Sequence, residues 1–203
     1  MIHWPRTIKP LMLLAALVGA LTLVPSASAG YCGSRAVSQP FAPWGDTNDY
    51  FPLRNGGFEN GLDSWDALWG GLGFGSNQPW WLNGQRTGYS SVRMFGDSSL
   101  GSRSFCASGD ENIVRMFVQS PGKRGSWLRV VAHVSYRGSD WDQEIGWFDG
   151  GASKGWSLSP PLYLFDAQPG SEHADVSLTF QTGGSGWAGW GIDDVYVDPF
   201  RTT

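Results

Sequence analysis

The chain has 203 residues, a formal net charge of −4, 14% aromatic residues and 12 tryptophans. That length suits one domain with a sizeable core once a leader is removed. The mildly acidic balance excludes nucleic acid and anionic membrane surfaces as expected partners.

Residues 1–29 read as a secretory signal peptide. Arg6 and Lys9 give a positive start, residues 11–24 form an apolar run, and Ala27-Ser28-Ala29 has the small-x-small pattern of a cleavage site. The run is short for a bilayer crossing, and no second one follows, so no membrane is expected for the mature chain. Cys32 does not read as a lipidated cysteine, because bulky Tyr31 precedes it. Losing Arg6 and Lys9 with the leader takes the formal charge from −4 to −6. The mature chain is expected to be secreted and extracellular.

Residues 30–52 read as an irregular N-terminal arm punctuated by Pro40, Pro43 and Pro52, with residues 53–203 as one β-domain. Cys32 in the arm and Cys106 in a candidate strand are the only cysteines. In an exported chain they read as one disulfide, and closing so long a loop contributes about 4 kcal/mol on the chain-entropy model.

The stretch Asn55-Gly-Gly-Phe-Glu-Asn-Gly-Leu-Asp-Ser-Trp65 reads as a short strand ending in a carboxylate, then a glycine turn, then a tryptophan. Strand candidates follow at 90–95 and 102–106, bracketing an Asp97-Ser-Ser turn, and at 113–119, which is nearly all apolar. Residues 127–136 give the clearest strand. Leu128, Val130, Ala132, Val134 and Tyr136 take one face, and Trp127, Arg129, Val131, His133 and Ser135 the other. Residues 141–148 are expected to pair back on it, with Trp141, Gln143, Ile145 and Trp147 on one face and Asp142, Glu144 and Phe148 on the other. Residues 156–164 contain Pro160-Pro161 and must be an edge or a bent strand. Residues 174–181 alternate with Val176, Leu178 and Phe180 inward. Gly191-Ile-Asp-Asp-Val-Tyr-Val-Asp-Pro199 closes the sheet at a proline. About eight strands fit an all-β, two-sheet jelly-roll sandwich.

A Gly-Phe-Glu followed by a tryptophan, and a closing Ile-Asp-Asp-Val, resemble the ends of carbohydrate-binding modules of the galactose-binding-like jelly-roll type. The resemblance covers about residues 53–199. It implies a sugar ligand and a structural calcium held by Glu59 and Asp194, with Asp193 as the register alternative. The same acids read equally well as caps that accept backbone hydrogen bonds at strand ends. The arm residues Cys32, Pro43, Trp44 and Asp46, with Asn77-Gln-Pro-Trp80, also resemble a group of small uncharacterised exported bacterial proteins. That likeness carries no activity with it.

Eleven of the 12 tryptophans lie beyond residue 29. Trp65, Trp156 and Trp190 read as core, and Trp44 as packed under the arm. Trp69, Trp80, Trp81, Trp141, Trp147 and Trp187 fall in loops or on mixed faces. Sugar rings present apolar C–H faces to indole, and their hydroxyls seek polar groups. The expected platform is therefore Trp127, Arg129 and His133 with Trp141, Gln143 and Trp147, joined by Trp80 or Trp81. The plainer reading is that these indoles cover one another. No catalytic residue is assigned. Gly151-Ala-Ser153-Lys-Gly155 matches a nucleophile elbow, with Asp166 and His173 following, but it lacks the helix that motif needs. The favoured function is a non-catalytic secreted carbohydrate-binding domain. The alternative is a surface or matrix protein that binds another protein, without a sugar ligand.

Overall fold

In the computed structural model, residues 29–30, 32–108, 113–151, 154–164, 173–184, 186–187 and 189–198 are described. The predicted leader up to residue 28, Ser153 and Asp166 lie outside them. The strands are β1 (Ala29–Gly30), β2 (Gly33–Ser34), β3 (Phe51–Pro52), β4 (Trp65–Ser76), β5 (Ser90–Ser102), β6 (Phe105–Ser108) and β7 (Ile113–Ser120). They continue with β8 (Ser126–Tyr136), β9 (Ser139–Asp149), β10 (Gly155–Leu158), β11 (Leu162–Tyr163), β12 (His173–Gly184) and β13 (Gly189–Asp198). The fold is an antiparallel all-β sandwich, and among the described residues no helix is long and apolar enough to cross a membrane.

The expected turn at Asp97-Ser-Ser is absent: β5 runs straight through it. Its first half pairs with β13 and its second half with β12, so this one strand belongs to both sheets. Glycine makes the change of partner possible, since Gly96 has a φ of 61° at the crossing point. β4 follows β5 along both halves with two register shifts. One layer, the β8 sheet, is β9–β8–β12 with the second half of β5, and β6 extends along β12. The other, the β13 sheet, is β10–β7–β13 with the first half of β5. β11 also pairs with β7, and β3 with β13. Pro160 and Pro161 separate β10 from β11 at the sheet edge, as their missing donors require.

Between the layers lie Val92, Met94, Leu100, Met116, Leu128, Val130, Leu178, Phe180, Trp190 and Ile192, all buried. Trp65 joins them, stacked on Phe180 with ring centroids 5.7 Å apart. The predicted strand at its approach is instead a turn built on Asn55, which has a φ of 51°. Asn55 donates to the carbonyls of Gly61 and Asp63, and its own carbonyl accepts from the Trp65 indole N–H at 3.0 Å.

A second cluster of Phe41, Tyr50, Leu82, Phe117 and Tyr196 sits on the outside of the β13 sheet, under the arm. Asp46 fastens it, accepting from Arg115 at 2.6 Å and from the Tyr50 hydroxyl at 2.8 Å. Trp44 is not covered. It lies edge-on to Trp80 and Phe117 and is 37% exposed. Trp156 lies outside the main core: opposite Gln119 on the outer face, it packs half-buried against this second cluster. Cys32 and Cys106 are bonded across a sequence separation of 74, which ties the arm to β6.

Candidate functional site

The period of two along β8 turns Trp127, Arg129, Val131, His133 and Ser135 away from the core. Cross-strand register extends each position into a rung over the sheet. The fullest rung crosses five strands, Trp69–Ser99–Gln181–Arg129–Trp147. At about 4.8 Å per strand the two terminal positions of the rung are about 19 Å apart along the backbone. Trp69 is 54% exposed and Trp147 53%. Between them Arg129 is held by side chains, donating through Nε to Gln181 Oε1 at 3.0 Å and pairing with Glu144 at 3.8 Å.

The next rung, Asp66–Gly101–Thr179–Val131–Glu144, lies under Leu68, whose side chain covers Gly101. Beyond it, His133 Nδ1 lies 2.5 Å from Asp142 and Nε2 lies 2.7 Å from the Thr179 hydroxyl. A carboxylate only accepts, so Nδ1 carries the proton and the ring is fixed in orientation. Asp140, Asp142 and Asp175 surround His133 in a depression of about 150 Å³. At the opposite end Trp127 lies flat over Gly183, where an added Cβ would come 2.3 Å from the indole. It stacks on Trp147 with centroids 5.0 Å apart and an interplanar angle of 22°.

Of the predicted platform, Trp127, Arg129, His133 and Trp147 share this face, whereas Trp141 and Gln143 do not. A β-bulge is the cause: Gly146 pairs with Val130 but Glu144 with Val131, so Ile145 is an extra residue and the alternation reverses. Trp141 therefore pairs with Val134, out of step with that face, yet it is 40% exposed and lines the depression beside His133. Gln143 reaches toward the Tyr163 carbonyl. Trp80 and Trp81 lie in the segment between β4 and β5, where Trp80 stacks on Phe117 of the other sheet at 5.1 Å and Trp81 is exposed.

Glu59, Asp193 and Asp194 converge at the bulge in β13, where each is already used as an acceptor. Asp193 takes backbone N–H groups from Gln78 and Asp194, both at 2.9 Å. Asp194 Oδ2 takes Gln78 Nε2 and the Thr87 hydroxyl, and Glu59 takes the N–H groups of Tyr89 and Ser90. Calcium asks for six to eight oxygen ligands. Among the described residues no group of three His, Cys, Asp or Glu is placed to hold a metal ion, so this set does not fit a calcium centre and acts as hydrogen-bond anchors. Burial, with the Asp194 charge next to it, pushes the Asp193 carboxyl up to about 9. Burial raises Asp194 as well.

The missed members of the face, Trp69, Ser99, Thr179 and Gln181, follow from strand β4 and from the partner change in β5. Glycine at 71, 73 and 75 hid β4 as a strand, although that spacing is itself a period of two.

The β-sandwich is a fold shared with carbohydrate-binding modules. The chain is similar to a family 16 carbohydrate-binding module, with a TM-score of 0.51 and 14% identity over 72% of this chain and 99% of that one. It is also similar to the CBM22-1–GH10 modules of Clostridium thermocellum endo-1,4-β-D-xylanase 10B, complexed with xylohexaose. There the TM-score is 0.50 and the identity 15%, over 70% of this chain and 27% of that one. The enzymatically active domain of bacteriophage CBA120 tailspike protein 4 matches at a TM-score of 0.50 and 11% identity, over 72% of this chain and 21% of that one. No family model and no curated protein sequence matches the chain.

Proposed function

We propose that this is an exported, non-catalytic carbohydrate-binding domain that takes a glycan chain across the outer face of the β8 sheet. The observation that carries the reading is the rung with an open indole at each end and Gln181 and Arg129 between. Indole faces suit the C–H faces of sugar rings, and the intervening amide and guanidinium suit hydroxyls. A span of about 19 Å favours an oligosaccharide over a single sugar. Exposed indoles flanking polar groups support a glycan over the protein-binding alternative, which asks for a flat apolar patch with a polar rim. Export is supported by the N-terminal sequence and by the Cys32–Cys106 disulfide, which persists in oxidising compartments.

The test is isothermal titration against soluble neutral oligosaccharides of cellulose, xylan, galactan and mannan. At least one should bind with a Kd on the order of micromolar to millimolar. Trp147→Ala and Trp69→Ala should each weaken binding about tenfold or more without changing the melting temperature. No heat with any of these sugars, or full binding by both variants, would sink the reading. Release of reducing ends during incubation would move the protein to the enzymes.

A further inference from the structure

The outer face of the β13 sheet carries another five-strand rung, Gly73–Arg93–Gly191–Gln119–Trp156. Glycine on alternate strands lets the neighbouring side chains lie down over its floor. A Cβ at Gly191 would lie 2.9 Å from Gln119, 3.0 Å from Trp156 and 3.1 Å from the Arg93 guanidinium. One rung further, Phe95 rests in the same way against Gly71, Gly73 and Gly189. At the end away from the arm this floor opens into a cleft of about 340 Å³ among Arg93, Gln119, Lys123, Lys154 and Trp187. Trp187, 82% exposed, forms a ridge between it and a second hollow of about 560 Å³ floored by Gly70, Gly71 and Phe95.

Among the described residues no acidic one lines the smaller cleft, although the chain carries a net negative charge. Elsewhere Arg54, Arg103, Arg115 and Arg129 each have a carboxylate partner. Among the described residues the side chains of Arg93, Lys123 and Lys154 have none. Arg93 is half-buried, and desolvation lowers its pKa from the ordinary guanidinium value. A half-buried cation without a counter-charge lacks the compensation that buried charges normally have, and an incoming anion would supply it.

We propose that this cleft binds the acidic group of an anionic glycan, a uronate- or sulfate-bearing polysaccharide, with Arg93, Lys123 and Lys154 around the oxyanion and Trp187 against the sugar ring. A guanidinium fork matches two oxygens of a carboxylate or sulfate, while ammonium groups add charge without fixed geometry. The cleft lies on the opposite sheet from the neutral-glycan face, so this site does not depend on that one.

Affinity electrophoresis of the whole protein at low salt tests the proposal, with polygalacturonate, dextran sulfate, uncharged dextran and polyglutamate as the gel additives. Retardation by polygalacturonate or dextran sulfate, and not by uncharged dextran, is the expected result. Which of the two acts distinguishes carboxylate from sulfate. Arg93→Gln should weaken the effect about tenfold or more, while Arg54→Gln, which removes an exposed cation outside the cleft, leaves it unchanged. If Arg93→Gln lowers the melting temperature, the Lys123→Gln/Lys154→Gln variant on the exposed turns carries the same expectation, and Trp187→Ala separates stacking from charge. Three results overturn the site: no retardation by either acidic polysaccharide, unchanged retardation in the cation variants, or equal retardation by polyglutamate. The last reduces it to bulk charge.

Discussion

Arg129 and Arg93 occupy matching places in the molecule, each mid-rung on the outer face of its sheet. Arg129 stands between strands that carry Gln181 and Trp147, and Gln181 and Glu144 hold it. Arg93 stands between Gly73 and Gly191 and is held by nothing comparable. The flanking strands, rather than the arginine, therefore decide whether a surface cation is structural or available. The two faces differ in cover as well. The arm closes one end of the β13 sheet through Asp46, Arg115 and Tyr50, while the outer face of the β8 sheet is covered only by its own side chains, Leu68 over Gly101 and Trp127 over Gly183.

The largest test of that contrast is to cut one ion pair on each face. Arg115→Ala leaves the largely buried Asp46 without its cation and should cost about 3 kcal/mol in urea unfolding. Arg129→Ala breaks a half-exposed pair and should cost less than about 1 kcal/mol. Equal losses would mean that the arm does not clamp its sheet.

A smaller effect concerns the acids at the β13 bulge. The folded state keeps the Asp193 proton up to about pH 9, whereas an unfolded aspartate loses it near pH 4. Folding thus takes up a proton between these values. The stability from this group is fully present below about pH 4 and falls as pH rises toward 9. Asp194→Asn keeps an oxygen for Gln78 and Thr87, tolerates the φ of 48° at this position, and removes one charge. It should raise the melting temperature at pH 8, leave it unchanged at pH 4 and flatten the slope between. A wild-type melting temperature that climbs from pH 5 to pH 9 would contradict this.

The smallest expected effect is zero. Because Glu59, Asp193 and Asp194 already accept protein donors, excess EGTA should leave the melting curve where it was. A fall reversed by calcium would reinstate a metal.

The sequence carried much of this. Alternation in 127–136 and 174–181 gave both strands and their inward faces, because a half-buried strand has to alternate. Cys32 and Cys106 gave the bond. Two kinds of feature were hidden. A bulge is one residue that changes no composition, so nothing marks Ile145 as the place where Trp141 and Trp147 part company. Glycine strands lose their apolar signature, so β4 read as loop and took Trp69 and the trough beside Arg93 with it. Trp156 and Trp80 looked like core or ligand contacts by type, and only pairing to β7 and stacking on Phe117 showed which face they cover.

The bulge in β9 has one more consequence. Among the described residues β9 has no strand beyond it, so half of its backbone donors and acceptors face outward. An open edge invites the edge of another copy, and crowding on a polymer would multiply such encounters. Asp140, Asp142 and Glu144 set three like charges along this strand, and the extra residue at Ile145 breaks its ladder register. The edge is thereby made a poor template for self-association.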